Sequence, residues 1–577
     1  MTRLPVRHGR ALIGLATAAA VATATATLGA APASSAPSDG DCAALYPQSE
    51  LVEGQPVTGL TVSKGTTPER FTGEYIGVLN SGIAPGLDMI MVRLSSREID
   101  RVGGIWSGMS GSPVYARDGR LIGAVSYGLA YGASPVAGVT PYDAMDDYLT
   151  QPAAARISVA PRTAERIAAE TDVSAAEAAQ GFARLPMPLS VSGVSGPRLA
   201  QAAGKRTWLD RGVRAVGSAA ASGTGPGADT IVAGGNLAAA LSWGDVTMGG
   251  VGTATSVCGD EVVGFGHPMQ YLGRTTESLH PASAVYVQED PIGVPFKVAN
   301  FGAPVGTITQ DRLAGITGTI GTVPESTEVS STLTYGDRSR TGTSNVSVRS
   351  ATADVTFYQL LANHDRVIDG YQGGTEVQKW TIQGRDTEGT PFSLDMRDRY
   401  VSTSDIAFES PWDVADQAWL LSSLRGVTLD RIAVTTTLDD ATTTVRVLRV
   451  EQYRAGRWVR VSRSNPILAW SGRRVLLRAI IGNADLNRIV RARFDVPAKA
   501  RGTRGSLRVA GGAAVGQYVD GTDLGDLLDQ YRSWVSNDEV QVGATLRRRG
   551  YTFRTSFTKA PRPWVVRGQQ TVPMFVR

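Results

Sequence analysis

The chain has 577 residues, 66 of them glycine, and 57 basic against 53 acidic side chains for a formal net charge of +4. That length calls for several domains rather than one. Three of the basic residues, Arg3, Arg7 and Arg10, sit at the very start; the rest is close to neutral and gives no ground for nucleic acid or an anionic membrane surface as a partner.

The first element is a secretory signal. Basic residues come first, a mildly apolar stretch runs from Ala11 to Ala30, and small residues follow through Ala36. Residues 1–36 are therefore expected to be removed on export, leaving a protein that is secreted or held in the cell envelope. No later apolar run reaches the length of a bilayer span, so no integral membrane segment is expected in the mature chain. The sequence contains two cysteines, Cys42 and Cys258. In an oxidising compartment that even count allows one disulfide between them. Cys-x-x-Cys and His-x-x-x-His spacings are absent, so neither a metal nor any other cofactor is expected.

Residues 42–155 read as the first β unit, with short strands such as Gly73–Leu79 and Met89–Leu94. Its most informative stretch is Gly103-Gly104-Ile105-Trp106-Ser107-Gly108-Met109-Ser110-Gly111-Ser112-Pro113. Gly108 and Gly111 allow a tight turn that could bring the N–H groups of Gly108 and Ser110 onto a developing oxyanion. A hairpin follows, Val114–Ala116 and Leu121–Gly128 around Arg117-Asp118-Gly119-Arg120, and then Gly138–Met145 as a last strand and a closing helix. This order resembles the chymotrypsin-like serine peptidases: nucleophile loop, strand, tight turn, strand, Ser-aromatic-Gly. The resemblance implies that Ser126-Tyr127-Gly128 offers its backbone to an extended peptide substrate as an added strand.

Residues 156–184 turn to Ala, Arg and Glu and read as a helical connector, with a helix start near Ser174–Glu177. Residues 185–325 form a second β unit, residues 326–512 alternate apolar and polar like β-sandwich strands, and residues 513–577 hold a short helix around Leu524–Val535 and more strand. The expected fold class is thus mainly β: two chymotrypsin-like barrel units followed by C-terminal β-sandwich-like domains.

A serine hydroxyl needs a positioned base, and the mature chain offers three histidines. His364 reads as part of a solvated loop and His280 as a surface residue. His267, in Phe265-Gly266-His267-Pro268 at the end of an apolar strand, is flanked by small neighbours and is the candidate base.

With both blocks quoted, the chain resembles the sporulation-factor IVB peptidases, peptidase family S55. The likeness rests on Gly103–Val125 and on Phe265-Gly266-His267 with Gly306-Thr307-Ile308 and Gly315-Ile316-Thr317-Gly318 downstream. It implies a serine endopeptidase with Ser110 as nucleophile and His267 as general base. In that family the His block comes first, whereas here the order is reversed. The aspartate expected upstream of the serine is replaced by Leu94-Ser95-Ser96-Arg97, and no PDZ module is recognisable. Asp311, on the His-bearing unit, is the choice for the third triad member, with Asp290, Asp100 and Asp88 as alternatives. The expected partner is a protein or peptide substrate. A non-catalytic envelope protein that keeps the barrel to bind peptides is the alternative.

Overall fold

The computed structural model describes residue 42 and residues 44–130, 132–146, 156–157, 159–170, 173–185, 189–206, 218–222, 224–290, 294–517, 519 and 521–577. The expected signal segment, residues 1–36, lies outside them. The fold is mainly β, with two closed six-stranded antiparallel barrels and further sheets C-terminal to them.

The first barrel is built from Pro56–Thr61, Glu69–Ala84, Leu87–Ser95, Pro113–Tyr115, Leu121–Leu129 and Val136–Pro141. It closes because Pro113–Tyr115 pairs with both Pro56–Thr61 and Leu121–Leu129. Proline at the head of the short closing strand is tolerated because the first position of a strand can do without a ladder donor. The turn before Leu121–Leu129 uses Gly119 at φ +86°, a left-handed conformation that favours glycine. Every residue of Leu121–Leu129 is buried.

The 156–184 stretch is not a free connector. Helices Pro161–Glu170 and Ala175–Ala178 are present, the second opened by a capping box between Ser174 and Glu177. On either side of these helices, however, Arg156–Ile157 and Phe182–Arg184 pair with each other, and Phe182–Arg184 pairs antiparallel with Leu121–Leu129. These residues thus extend the first barrel's sheet.

The second barrel comprises Asn236–Gly244, Met248–Cys258, Glu261–Gly264, Gly273–Gln288, Gly306–Arg312 and Gly315–Ile320. Pairing of Asn236–Gly244 with Gly273–Gln288 closes it. Gly273–Gln288 is long enough to leave the barrel and pair onward with Phe296–Gly302.

The barrels are joined directly. Gly65 and Ala284 exchange two backbone hydrogen bonds of 2.7 and 2.8 Å, and Ser107 forms a bridge with Phe296. A Cys42–Cys258 disulfide ties the start of the described chain to the second barrel. Among the described residues no helix is long and apolar enough to cross a membrane.

Beyond the barrels the expected division at residues 326–512 is replaced by two different units. The first is a run of five strands in the order Arg338–Val346, Thr327–Tyr335, Thr428–Asp439, Gly374–Arg385, Pro391–Ser402, continuous with the second barrel's sheet through the pairing of Arg338–Val346 with Asn236–Gly244. The helix Thr352–Ile368 packs on its first two strands and on the helix Trp412–Ser423. This is a sheet under helices, not a sandwich. His364 belongs to that first helix, buried, with Nε2 2.6 Å from Glu376 Oε1. It is no loop residue. The helix escapes a periodicity reading because polar Gln359, Asn363 and His364 are buried alongside Leu360 and Leu361.

The second unit is a true sandwich. Strands between Thr444 and Val576 form two five-stranded sheets around one shared core that includes Val447, Leu477, Phe494, Leu507, Val542 and Met574. A boundary at 512/513 would cut the pair Arg504–Gly511 and Val540–Arg548. The helix in this region spans Leu524–Arg532.

Candidate active site

The loop bearing Ser110 leaves the helix Arg97–Val102 and runs into the closing strand Pro113–Tyr115. Two glycines shape it, Gly108 at φ +98° and Gly111 at φ +95°. A Cβ at Gly111 would collide with the carbonyl of Thr253, so only glycine fits there on two counts. Met109 N–H donates to Trp106 O at 3.0 Å, Ser112 N–H to Met109 O at 2.9 Å, and Gly111 N–H to Val125 O at 2.8 Å. Among the described residues the N–H groups of Gly108 and Ser110 donate to no protein acceptor. They are the two amides expected to form an oxyanion hole, and they are left available for one.

Much of the loop's shape is imposed by the other barrel. Thr253, in the strand Met248–Cys258, donates its N–H to Ser110 O at 2.8 Å and its hydroxyl to Gly108 O at 3.1 Å. Thr255, two residues on and therefore on the same face, donates its hydroxyl to Gly111 O at 2.8 Å. Neither threonine stands out in the sequence, since nothing in a Thr-rich strand marks which hydroxyls meet a distant loop.

His267 follows Glu261–Gly264 through a strained corner. Phe265 and Gly266 both have φ +68°, costly for phenylalanine, and Gly266 N–H folds back on Gly264 O at 2.8 Å. A side chain at Gly266 would collide with Ser126 Oγ. Thr140 of the first barrel fastens the corner by donating to Gly266 O at 2.6 Å.

The result is a contact between residues 157 positions apart: Ser110 Oγ lies 2.8 Å from His267 Nε2. On the ring's other side Nδ1 lies 2.8 Å from Pro268 O. A carbonyl oxygen can only accept, so Nδ1 carries the proton and Nε2 presents its lone pair to the serine hydroxyl. Both residues are almost fully enclosed, Ser110 at 1% exposure and His267 at 0%.

Asp311 has a different place from the one expected of a triad acid. Its Oδ1 accepts from Met269 N–H at 2.7 Å, and its Oδ2 from Gln270 N–H at 2.7 Å and Leu272 N–H at 3.1 Å. The carboxylate braces the loop that leaves His267, while the Pro268 carbonyl lies within hydrogen-bond distance of Nδ1. Burial raises the Asp311 pKa, an effect opposed by those N–H donors. The alternatives lie elsewhere. Asp88 accepts from Gln48 Nε2 and Ser81 N–H, Asp100 is exposed on the helix Arg97–Val102, and Asp290 follows the end of Gly273–Gln288.

Two further predicted features are corrected. His280 is fully buried, not a surface residue. Its Nε2 is 2.8 Å from Ser278 Oγ and its Nδ1 2.9 Å from Gly302 O, and burial pushes its pKa down to about 4. The backbone of Ser126, Tyr127 and Gly128, expected to be open to a substrate, is already engaged by the chain's own residues 183–185.

Sequence reading also misses two buried ionisable groups nearby. Glu277 is fully buried with both carboxyl oxygens unpartnered; burial, then the neighbouring Asp311 charge, holds its pKa well above the ordinary value. Lys297 Nζ donates to Asn236 Oδ1 at 2.8 Å, and burial lowers its pKa to about 7. Its backbone N–H donates to Ser107 O at 2.8 Å, which places its stem against Gly108. Charged residues inside a β-rich sequence carry no signature that separates these from the solvated majority.

No protein-family model matches the chain, and no curated protein and no solved structure matches it either.

Proposed function

We propose that the chain is an exported serine endopeptidase, related in its site chemistry to the sporulation-factor IVB peptidases, with the Ser-bearing and His-bearing barrels in reversed order. The observation that carries this reading is the 2.8 Å contact between Ser110 Oγ and a correctly tautomerised His267 Nε2 across two barrels. The chemistry follows from the geometry. Ser110 Oγ attacks the scissile carbonyl carbon while its proton passes to Nε2. The carbonyl oxygen becomes an oxyanion and takes the unused N–H groups of Gly108 and Ser110. Collapse expels the amine, which receives the proton from Nε2, and water then hydrolyses the acyl-enzyme by the same steps in reverse. The Pro268 carbonyl beside Nδ1 favours the tautomer that presents the Nε2 lone pair to Ser110. The Cys42–Cys258 bond supports maturation in an oxidising compartment.

The test is labelling by a fluorophosphonate probe, read by intact mass. Wild-type protein is expected to gain one adduct, on Ser110, with Ser110→Ala and His267→Ala blank while melting as the wild type does. An unlabelled wild type, or a His267→Ala variant labelled at the wild-type rate, overturns the reading. The filled edge at Ser126–Gly128 favours one competing account, a peptide-holding module without catalysis, and that account predicts no adduct at any pH.

A further inference from the structure

The segment that covers Ser126–Gly128 lies on it as an added antiparallel strand. Its pairing with Leu121–Leu129 is antiparallel, with Tyr127 opposite Arg184, Gly128 opposite Ala183, and Leu129 opposite Phe182. Leu185 N–H donates to Ser126 O at 3.1 Å, and Ala130 N–H donates to Gly181 O at 2.9 Å. Hydrogen-bonded pairs alternate along an antiparallel ladder, so Gly128 and Ala183 form the hydrogen-bonded pair between these two. A peptide added to this strand for cleavage would use the same bonds.

Leu185, unlike Phe182, joins the apolar cluster of the loop that bears Ser110. Its partner Ser126 packs against the Gly266 corner that delivers His267. Its side chain is buried at 1% exposure in one apolar cluster with Ile105, Trp106 and Met109, the residues that lead into Ser110. The absence of a side chain at Gly128 makes the room: a methyl added there would stand 3.1 Å from Leu185 Cδ2 and 3.4 Å from Ile105 Cδ1. One aliphatic side chain thus packs between Gly128 and the apolar residues that precede Ser110. The next residue in the sequence is Pro186. Its nitrogen belongs to a tertiary amide with a fixed ring and no N–H, a poor bond for hydrolysis, so an occupant ending here would persist.

Resting on the peptidase reading of Ser110, we infer that Phe182–Leu185 is a built-in substrate mimic. It occupies the peptide-binding edge in cis, bars an extended substrate from that edge, and reports the specificity of the position beside Ile105, Trp106 and Met109, which takes a leucine-sized aliphatic residue immediately before the cleaved bond. A protein substrate gains access when this segment leaves the strand.

The experiment separates this inference from the question of catalysis. In a Ser110→Cys background the only thiol is the introduced one, because the two native cysteines are joined. A peptide copying residues 180–185 and ending in leucine chloromethyl ketone alkylates that thiol when its last residue reaches that position, which needs proximity and no acyl transfer. Adding Leu185→Ala is expected to raise the alkylation rate at least tenfold, and a peptide ending in aspartate is expected to react at least tenfold more slowly than the leucine peptide. Equal rates with and without Leu185, or no preference for leucine, overturn the inference. Should Leu185→Ala fail to fold, Ala183→Pro keeps Leu185 but removes a backbone bond to Gly128, loosening the segment from the strand, and is likewise expected to raise the alkylation rate. Fluorophosphonate labelling of the Leu185→Ala protein with Ser110 intact is read separately. Fast alkylation in the thiol background with no labelling here leaves the mimic standing and sinks the peptidase.

Discussion

Replacing Thr253 by valine asks whether the second barrel holds the Ser110 loop in the shape the peptidase reading requires. The change is close to isosteric and keeps the N–H that serves Ser110 O, but it deletes the hydroxyl 3.1 Å from Gly108 O. Gly108 is buried, and a buried carbonyl left without a donor costs about 1–3 kcal/mol. The loop can relieve that cost by rotating the peptide planes around Gly108, whose φ of +98° has other solutions open to glycine. Such a rotation turns the Gly108 N–H away from the oxyanion position. At about 1.4 kcal/mol per decade, the reactive arrangement then falls roughly 5- to 150-fold. The assay is the second-order rate of fluorophosphonate labelling, with thermal melting followed in parallel. Thr255→Val, which deletes the 2.8 Å bond to Gly111 O, should lower the rate by a comparable factor. The two losses should combine less than additively, because they release the same loop. Labelling within twofold of wild type in both variants would refute the idea that this strand shapes the site.

Three other outcomes rest on named contacts. Asp311→Asn keeps a single acceptor oxygen where the carboxylate serves three N–H groups; it should cost about 1.5–3 kcal/mol and slow labelling through His267, and unchanged labelling would show that the loop does not position the imidazole. Burial, then the Asp311 charge, raises the Glu277 pKa well above its ordinary value, so its contribution is fully present below the unfolded carboxyl range and is lost as pH rises through the folded pKa. Glu277→Gln and wild type should therefore melt together near pH 4 and diverge by pH 8, with the variant higher, whereas parallel curves across that window would contradict the assignment. The Cys42–Cys258 bond closes a separation of 216 residues, for which the chain-entropy relation gives about 5 kcal/mol. The double serine variant should melt lower by calorimetry, and reductant should lower the wild type to match; insensitivity to reductant would show that the bond does not staple the barrels.

The two ends of the central contact are legible in the sequence for different reasons. Ser110 is readable because its loop needs glycines on both sides and a strand directly after, all contiguous in the chain. His267 is readable mainly by elimination, since His280 and His364 look like ordinary exposed residues, and that exposure is wrong for both. Each lies in a regular element whose polar faces are buried by later parts of the chain, Gly302 for one and Glu376 for the other. Asp311 sits near the histidine's loop, but a carboxylate's partner cannot be read from spacing when it is a backbone amide. The barrels show through alternation and turn chemistry. The helix Thr352–Ile368 does not, because burial on nearly all sides erases the periodicity that marks an amphipathic helix.

The separation of hydroxyl and imidazole along the chain carries a consequence for biogenesis. A polypeptide that emerges amino end first delivers Ser110 157 residues before its partner, and Thr253, Thr255 and Thr140 cannot meet their carbonyls until both barrels exist and have docked. Until both barrels are complete the nascent molecule therefore carries an alcohol without its imidazole, and on the peptidase reading any reactivity waits for their docking.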